Sequence, residues 1–239
     1  MTAIERLARK RARLERDLAG SMRRAWTSPV SVGLDAVLRR ALTTHARGDL
    51  LDAGCGTMPY RTVVARQVDS YTGFDIERRA PDVKLLGDVQ NMSAVGAASV
   101  DVVLCSEVLE HVPRPEAALA EFHRVLRREG ILILSTPFLA RLHEEPHDYF
   151  RYTRHGLREL LARAGFRIAT IETTGGLFSF LGHQPAIVVC SLAWPIPIVR
   201  DFVLALVAVG ITAPCRLLDF LSRNAARFPA GYVIVAERT

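Results

Sequence analysis

Cysteine is scarce in this sequence, and the positions of its cysteines argue against two classes of protein. Cys55, Cys105, Cys190 and Cys215 lie far apart, and no two of them form a CxxC pair. A secreted domain held by disulfides, or a zinc module, needs cysteines in closer and more regular spacing. The start of the sequence also lacks the apolar segment of a secretory signal. We therefore expect reduced core cysteines in a cytoplasmic protein.

An uninterrupted apolar run of about 20 residues, the length that crosses a bilayer as a helix, is also missing. Two shorter runs cover residues 186–199 and 202–214. A single span across both would place Arg200 and Asp201 near its middle, at a cost of about 3 kcal/mol for each charge. The pattern favours two short segments that lie in the membrane interface or dip into one leaflet. The alternative is a hydrophobic subdomain that covers the core or forms a dimer interface, so the sequence leaves the oligomeric state open.

Lysine is nearly absent, since only Lys10 and Lys84 accompany the arginines in a chain of net charge +6. Residues 1–24 carry eight basic side chains against three acids. An apolar stripe predicts a helix over residues 3–19, formed by Ile4, Leu7, Leu14 and Leu18. No aromatic residue is interleaved there, which disfavours nucleic acid as a partner. We expect either a solvated helix on the domain or an interfacial helix on acidic lipid.

Strand and helix patterns alternate between residues 30 and 174, which predicts an α/β fold with a doubly wound, mostly parallel, Rossmann-like sheet of seven strands. The predicted strands are Leu50–Ala53, Ser70–Asp75, Lys84–Leu86, Val100–Cys105, Ile131–Ser135, Phe166–Thr174 and Tyr232–Ala236. The first predicted helix begins after Ser31 as N-cap. The second runs from Pro115 to Arg128, before Gly130. The third begins after Thr153 as N-cap and ends at Gly165. The predicted domains are a basic helix at 1–28, a Rossmann-like domain at 29–174 and 231–239, and a hydrophobic helical insertion at 175–230.

Acidic and glycine residues follow three successive predicted strands. Asp52, Gly54 and Gly56 surround a tight turn after the first strand, where glycine lets the backbone approach a ligand. Asp75 ends the second strand and can accept both hydrogens of a ribose diol. Asp88 follows the third strand, where its carboxylate can accept from an adenine amino group. The carboxyl ends of parallel strands meet at one edge of the sheet, so these residues predict a nucleotide-type cofactor site.

Two cofactors fit an acid that binds ribose, a nicotinamide dinucleotide and S-adenosylmethionine. A dinucleotide favours a third glycine in the turn, so that its pyrophosphate can lie on a helix N-terminus. This sequence has Met58 and Pro59 there instead. S-adenosylmethionine carries a cation and no phosphate, which suits the acids that line the predicted site.

From Leu50 to about Thr174 the sequence resembles the class I S-adenosylmethionine-dependent methyltransferases. The similar motifs are LLDAGCG (50–56), YTGFD (71–75), GDV (87–89), VDVVLCSEVLEHV (100–112), EFHRVLRREGILILSTP (121–137) and LRELLARAGF (157–166). The stretches GCGTMPYR and EEPHDYFRYT (144–153) further resemble a bacterial type-11-like subgroup, whose members often take part in polysaccharide or glycan assembly.

The resemblance implies a place for each cofactor-binding residue. It places Asp52, Gly54 and Gly56 by the methionine part, Asp75 on the ribose, and Asp88 with Val89 by the adenine. The same resemblance brings Ser106 and Glu107 to the border of the cofactor. Around these positions we also expect Cys55, Tyr60 and Ile76 to contact it.

The loop after the fifth strand contains the candidates for a catalytic base, because it should overhang the methyl group. His147 is the first choice, with Asp148 orienting it; His111, after the fourth strand, is the second and His143 the third. The alternate spacing of His143, Glu145 and His147 suits a metal. Methyl transfer needs no metal, however, and no metal is expected.

The sequence thus predicts a methyltransferase that acts on oxygen of a glycan, a lipid-linked sugar or another small acceptor, with S-adenosylhomocysteine as the other product. We expect it on the cytoplasmic face of the membrane, with contacts through residues 186–215 and 1–24. One alternative is a membrane-associated binding or scaffold protein without turnover. Another is a nicotinamide-dependent oxidoreductase, which the turn sequence disfavours.

Overall fold

The computed structural model describes residues 6–7, 9–11, 13–14 and 27–239. It contains a seven-stranded sheet in the order β3-β2-β1-β4-β5-β7-β6. The strands are β1 Gly48–Ala53, β2 Val68–Asp75, β3 Val83–Leu86, β4 Val100–Ser106, β5 Leu126–Pro137, β6 Phe166–Thr173 and β7 Gly231–Arg238. The pairs β1–β2, β1–β4, β2–β3 and β4–β5 are parallel, whereas β7 runs antiparallel to β5. The predicted Rossmann-like α/β fold is confirmed.

Seven helices occur in the described part of the chain outside residues 6–14, together with shorter turns. They are α1 Pro29–His45, α2 Arg61–Val64, α3 Pro115–Val125, α4 Arg154–Arg163, α5 Leu177–Ala193, α6 Pro197–Val207 and α7 Ala213–Ser222. Two 3₁₀ turns lie at Leu109–His111 and Asn224–Ala226, and a π-helical turn at Ala208–Thr212 joins α6 to α7. The described residues between 6 and 14 are also helical, while Ile4 and Leu18 of the predicted helix 3–19 lie outside the described residues.

The central strands are buried on both faces, as their continuous apolar sequences predict. Val102, Val103 and Leu104 of β4 are at most 1% exposed. Leu119 and Phe122 of α3 are fully buried and lie in one core cluster with Val103. Burial of each such side chain stabilises the fold by about 2 kcal/mol. The rigid sheet that results holds the ends of β1, β2 and β4 at one edge.

One predicted boundary is wrong, because α3 ends at Val125 and not at Arg128 before Gly130. Strand β5 begins at Leu126, which pairs with Val100, and the next pair is Val102 with Ile131, so residues 127–130 form a bulge. Arg127 in this bulge binds the carboxylates of Asp49 and Asp101. The ion pairs join neighbouring strands and hold the segment extended, which local helix propensity does not reveal.

The predicted helix caps have mixed outcomes. Thr153 caps α4 as predicted, since its side chain accepts from the backbone N–H of Gly156, and Gly165 follows the helix with a φ of +82°. Helix α1 begins at Pro29, three residues before the predicted start at Val32. The hydroxyl of Ser28 accepts from the backbone N–H of Ser31, so Ser28 and not Ser31 is the capping residue.

The chain divides into two compact units. One consists of residues 1–36 and 173–230, and the other of residues 37–172 and 231–239. We call them the helical unit and the sheet unit. The division differs from the predicted domains because the residues around the start of α1 belong with the hydrophobic insertion: a Cβ on Gly33 would lie 1.7 Å from the carbonyl oxygen of Thr174, and Ser28 Oγ is 2.8 Å from His183 Nδ1.

The helical unit has its own apolar core. Leu14 packs there with Ala186, Cys190, Trp194, Leu204 and Val207. A carboxylate of α7 fixes the start of α5, since Asp219 accepts from the backbone N–H groups of Gly176, Phe178 and Ser179 at 2.9, 2.9 and 3.0 Å. A Cβ on Gly176 would collide with these groups, lying 2.6 Å from Asp219 Oδ1.

The apolar runs do not break where the sequence predicts. The interruption lies between α5 and α6, and the second segment is a single helical run, Ile198–Ser222, of 25 residues with a mean hydropathy of 1.9. Arg200 and Asp201 therefore lie in the first turns of α6 and not at a junction of two segments. Among the described residues, this run is the one helix whose length and composition would suit a membrane span, and 17% of its apolar window is buried. Length and composition alone are weak evidence for a span.

Candidate functional site

The glycine turn after β1 places open space beside one glycine and a packed side chain beside the other. Gly54 has a φ of +75°, and a Cβ there would lie 2.4 Å from Val108 Cγ2. Gly56 has a φ of +53°, and a Cβ there would meet no heavy atom within 4 Å. Gly54 is therefore required for packing, whereas Gly56 faces space that a ligand can enter. The turn is held to β2 by the N–H groups of Gly54 and Cys55, which both donate to Phe74 O.

Asp75 joins the end of β2 to this turn. Its Oδ2 accepts from the backbone N–H of Gly56 at 2.7 Å, and its Oδ1 accepts from that of Glu77 at 3.1 Å. The side chain is 5% exposed. A carboxylate has further lone pairs beyond these two bonds, so Asp75 can still accept from a ligand hydroxyl. The structure thus brings Asp75 and Gly56 together as predicted.

Asp52 lies at the end of β1 and is also buried, at 3% exposed. Burial raises its pKa to about 7, with a further rise from Asp75, while a hydrogen bond from the Tyr71 hydroxyl acts in the opposite direction. The same burial raises the pKa of Tyr71 above its usual range. Sequence analysis missed Tyr71. No sequence signal marked it: Gly73 on the same strand pairs with Asp52, but the space beside that glycine is filled by Met58 and Cys55.

Met58 takes the position where a third glycine would stand, and it adopts a left-handed backbone with a φ of +56°. Its side chain packs with Cys55 and Val83 in a small cluster. Cys55 therefore turns its thiol into protein, and any contact that it makes with a cofactor comes from its backbone. Tyr60, the other predicted cofactor contact of this turn, is half-buried at the start of α2.

The remaining predicted cofactor residues lie at the ends of β2, β3 and β4. Ile76 is 68% exposed and follows Asp75, whereas Val89 is buried. Asp88 accepts from the backbone and side-chain nitrogens of Gln90, both at 2.8 Å. Ser106 Oγ lies 3.1 Å from Ser135 Oγ, and Ser135 Oγ also accepts from the N–H of Glu107.

The loop after β5 is fastened to the segment after β4. The carbonyl of Glu110 accepts from the N–H groups of Tyr149 and Phe150 at 2.9 and 3.2 Å. The hydroxyl of Tyr152 donates to Leu109 O at 3.1 Å. His111 Nδ1 lies 2.7 Å from the carbonyl oxygen of His147. These bonds hold the predicted acceptor loop at the same sheet edge as the glycine turn.

The predicted pairing of Asp148 with His147 is wrong. Asp148 binds the guanidinium of Arg151 at 2.6 and 2.7 Å and accepts from the backbone N–H of His143. The Arg151 hydrogen bonds hold the pKa of Asp148 well below its usual range. His147 is partnered instead by Tyr149, whose hydroxyl lies 3.1 Å from Nδ1. An arginine three residues away competes better for a carboxylate than a neutral imidazole does.

Three side chains that sequence analysis did not group lie side by side. They are Glu110, His111 and His143, and one ligand atom from each falls within 4.8 Å of the others. Glu110 is fully buried, and burial raises its pKa well above the usual range, with a further rise from Glu107. Burial lowers the pKa of His143. The sequence signal for Glu110 was an acid inside the apolar stretch VLEHV (108–112).

The chain is similar in sequence to several known proteins. Residues 18–171 match a family profile described as a methyltransferase domain. The chain is 32% identical over 103 residues to a malonyl-[acyl-carrier protein] O-methyltransferase of Serratia marcescens, covering 39% of this chain and 40% of that protein. It is 32% identical over 104 residues to a ubiquinone biosynthesis O-methyltransferase of Actinobacillus pleuropneumoniae, covering 36% and 44%. A probable S-adenosylmethionine-dependent methyltransferase of Mycolicibacterium smegmatis is 31% identical over 163 residues, covering 62% of each chain. The matched segments thus span between about two fifths and three fifths of the length of these relatives.

Solved structures share the fold. The cyclopropane synthase MmaA2 of Mycobacterium tuberculosis superposes with a TM-score of 0.57 at 17% identity, covering 85% of this chain and 84% of that one. An S-adenosylmethionine-dependent methyltransferase of Mesorhizobium loti gives 0.55 at 15% identity, covering 86% and 98%. At these identities the similarity establishes the architecture alone.

Proposed function

The chain belongs to the methyltransferase-domain family, and from that membership we propose that it is an S-adenosylmethionine-dependent methyltransferase. We propose further that it methylates a hydroxyl of a glycan, a lipid-linked sugar or a similar small acceptor at the cytoplasmic face of the membrane. The observation that carries the activity is the pair formed by Gly56 and Asp75. Open space lies beside the glycine, and the buried carboxylate holds the glycine's N–H at 2.7 Å.

The residues present fit this cofactor. Asp75 would accept from the ribose hydroxyls, and the backbone around Gly54 and Gly56 would hold the methionine part. Asp52 would face the positive charge of the cofactor, which favours its ionised form. S-adenosylmethionine supplies an activated methyl group, and the protein supplies alignment and a proton acceptor.

His147 is the proposed proton acceptor for the acceptor hydroxyl. Its Nδ1 lies 3.1 Å from the Tyr149 hydroxyl, which leaves Nε2 to receive the proton. The ring is exposed and fixed through its backbone by His111. His111 and His143 remain second and third candidates, and both turn Nδ1 toward a backbone carbonyl.

Exposed aromatic rings beside His147 favour a sugar as the acceptor. Tyr149 is 44% and Phe150 37% exposed, and their ring centroids lie 6.4 Å apart. Aromatic rings offer a large apolar area at a small entropic cost, together with a polar group in the case of tyrosine. The C–H faces of a sugar ring would pack on such a pair, and its hydroxyls would lie near His147.

The helical unit supports a place at an anionic membrane. It carries twelve Lys and Arg against six Asp and Glu, whereas the sheet unit has nineteen of each, so the whole net charge of +6 lies in the helical unit. Its long helix has large apolar side chains that are more than half exposed: Ile198, Phe202, Leu206, Val209, Leu217, Phe220 and Leu221. The first four follow one another at intervals of four, four and three residues, which places them on one face.

A helix that lies along the surface fits this pattern better than a span. Arg200, Arg216 and Asp219 interrupt the run, and Asp219 is engaged in capping α5. An apolar face in the interface and basic residues at anionic headgroups would both stabilise binding. A membrane surface would in turn present a lipid-linked acceptor to the enzyme.

The activity is tested by transfer of labelled methyl to cell-envelope extracts, followed by mass spectrometry of the product. We expect transfer with the wild type, none with Asp75→Ala because it loses cofactor affinity, and none with His147→Ala although its cofactor affinity is kept. Calorimetry with S-adenosylmethionine, S-adenosylhomocysteine and NAD measures that affinity. Binding of S-adenosylmethionine without any transfer would show a non-catalytic scaffold, and tighter binding of NAD would refute the cofactor assignment.

Membrane contact is tested by flotation with vesicles of phosphatidylglycerol or phosphatidylcholine. We expect the full chain to float with the anionic vesicles and to be released by salt, and a double variant Phe202→Ser, Val209→Ser to float less. The matched control is Leu142→Ser, which changes an exposed leucine of the sheet unit. Equal flotation of the double variant and the control would refute the assignment of the apolar face.

A further inference from the structure

A buried acid without partners lies at the centre of a small cluster in the sheet unit. Both carboxylate oxygens of Glu110 are inaccessible, and neither has a hydrogen-bond partner among the described residues. His111 Nε2 lies 3.7 Å from Oε1, too far for a hydrogen bond. A buried carboxyl group without a partner is costly, and proteins offset this cost by pairing the group or by placing it on a metal ion. Both oxygens of Glu110 can therefore still bind a cation or accept a hydrogen bond.

The two imidazoles beside Glu110 are oriented in the way that metal ligands are. His111 Nδ1 lies 2.7 Å from the carbonyl oxygen of His147, so Nδ1 carries the hydrogen and Nε2 keeps its lone pair. His143 Nδ1 lies 3.2 Å from the carbonyl oxygen of Arg141 and 3.4 Å from Asp148 Oδ2, two acceptors that favour the same tautomer, although an N–H of Arg151 lies 3.4 Å from the same nitrogen. Histidines that bind metal almost always donate their other N–H to a carbonyl or a carboxylate.

From these contacts we propose that Glu110, His111 and His143 bind a divalent transition-metal ion, with one carboxylate and two imidazole ligands. The ring centroids of the two histidines lie 4.7 Å apart at an interplanar angle of 81°. Ligand atoms of one ion, at bonds of about 2.0–2.2 Å, lie roughly 3–3.7 Å apart. The ligand atoms lie within 4.8 Å of one another, so a bound ion would draw them together by about 1 Å.

The ligand types select the class of ion. Two imidazoles with one carboxylate suit Zn²⁺, Mn²⁺, Fe²⁺ or Co²⁺, whereas Mg²⁺ and Ca²⁺ prefer oxygen ligands alone. Three protein ligands also leave coordination positions for water or a substrate oxygen. The sequence alone predicts no metal and offers His143, Glu145 and His147 as a possible set; the proposed site differs from both.

The site deepens the proposed function and, in this respect only, rests on it. A hydroxyl bound to a divalent ion loses its proton more readily than a free one. An ion held by Glu110 would therefore bind the acceptor hydroxyl and ease its deprotonation by His147, which is not one of the three ligands. The binding of the ion itself does not depend on methyl transfer.

Metal binding is tested without any methyl donor. The full chain, treated with EDTA and dialysed, is titrated with Co²⁺ and followed by visible absorption, and with Zn²⁺, Mn²⁺ and Mg²⁺ by calorimetry. We expect one equivalent of Co²⁺ or Zn²⁺, at least 100-fold weaker Mg²⁺ binding, and a loss of at least 100-fold in Co²⁺ affinity in Glu110→Gln and His143→Ala. The matched control is His155→Ala, an exposed histidine of α4, which should bind as the wild type does.

The outcomes separate the site from the proposed function. A chain without stoichiometric binding, or a Glu110→Gln variant that binds Co²⁺ as the wild type does, would overturn the site, while methyl transfer that resists EDTA would then leave the function standing. Stoichiometric binding that depends on Glu110, without transfer to any extract, would support the site and count against the function. Circular dichroism of each variant guards against a loss that comes from unfolding.

Discussion

Replacement of Asp52 by asparagine should remove a large part of the pH dependence of stability. The pKa of Asp52 is raised from 3.8 to about 7 because the side chain is buried. Between these values the native protein holds a proton that the unfolded chain releases, so the free energy of unfolding falls as the pH rises. Each pH unit contributes about 1.4 kcal/mol, or roughly 4 kcal/mol over the whole interval, and above pH 7 the effect is constant.

Urea unfolding at pH 5, 6, 7 and 8 measures this effect. Other groups titrate too, but they titrate equally in both proteins, so the difference between wild type and Asp52→Asn isolates Asp52. That difference in unfolding free energy should change by about 3 kcal/mol between pH 5 and pH 8. The Asp52→Asn variant should become more stable relative to the wild type as the pH rises. The variant Tyr71→Phe removes a hydrogen bond that favours the carboxylate, so it should move the inflection to higher pH. Parallel curves for wild type and Asp52→Asn would refute the assigned pKa.

Three further substitutions test packing and capping. Gly54→Ala should cost about 3 kcal/mol by urea unfolding, since its Cβ would meet Val108 at 2.4 Å, and Val108→Ala in the same chain should restore part of that loss. Gly56→Ala should cost only about 1 kcal/mol for its left-handed backbone, yet calorimetry should show at least tenfold weaker S-adenosylmethionine binding, and unchanged affinity would contradict a cofactor at that position. Asp219→Ala should cost about 3 kcal/mol, because three backbone N–H groups at the start of α5 lose their acceptor, and Asp219→Asn should lose less.

Much of the fold could be predicted because its signals are local. Strands β1 and β4 contain short apolar runs, β2 ends at Asp75, and Thr153 and Gly165 bracket α4 with ordinary capping chemistry. The start of β5 could not be predicted, because residues 126–128 have the pattern of a continuing helix. Their extended form depends on Arg127 meeting two acids from other strands, and such contacts leave no periodic signal in the sequence.

The candidate site, like the fold, could be predicted only where its residues belong to local motifs. Asp75 and Gly56 were found because motif order places them at neighbouring strand ends, and the structure joins them by a hydrogen bond. Tyr71 and Glu110 were missed because their importance comes from burial, which a single sequence does not display. The pairing of Asp148 was misjudged because Arg151 and His147 are both near in sequence, and only the folded loop decides between them.

Residues 108–111 connect the glycine turn of the cofactor site with the proposed cation site. Val108 fills the space that Gly54 leaves, and the next turn supplies Glu110 and His111. A cofactor that moves the glycine turn would therefore also move Val108 and, one turn further along the chain, Glu110 and His111. Linkage is reciprocal, so a cation that tightens cofactor binding by a given factor is itself tightened by the cofactor to the same degree. Order of addition would then alter the kinetics of assembly but not the final affinity of the ternary complex.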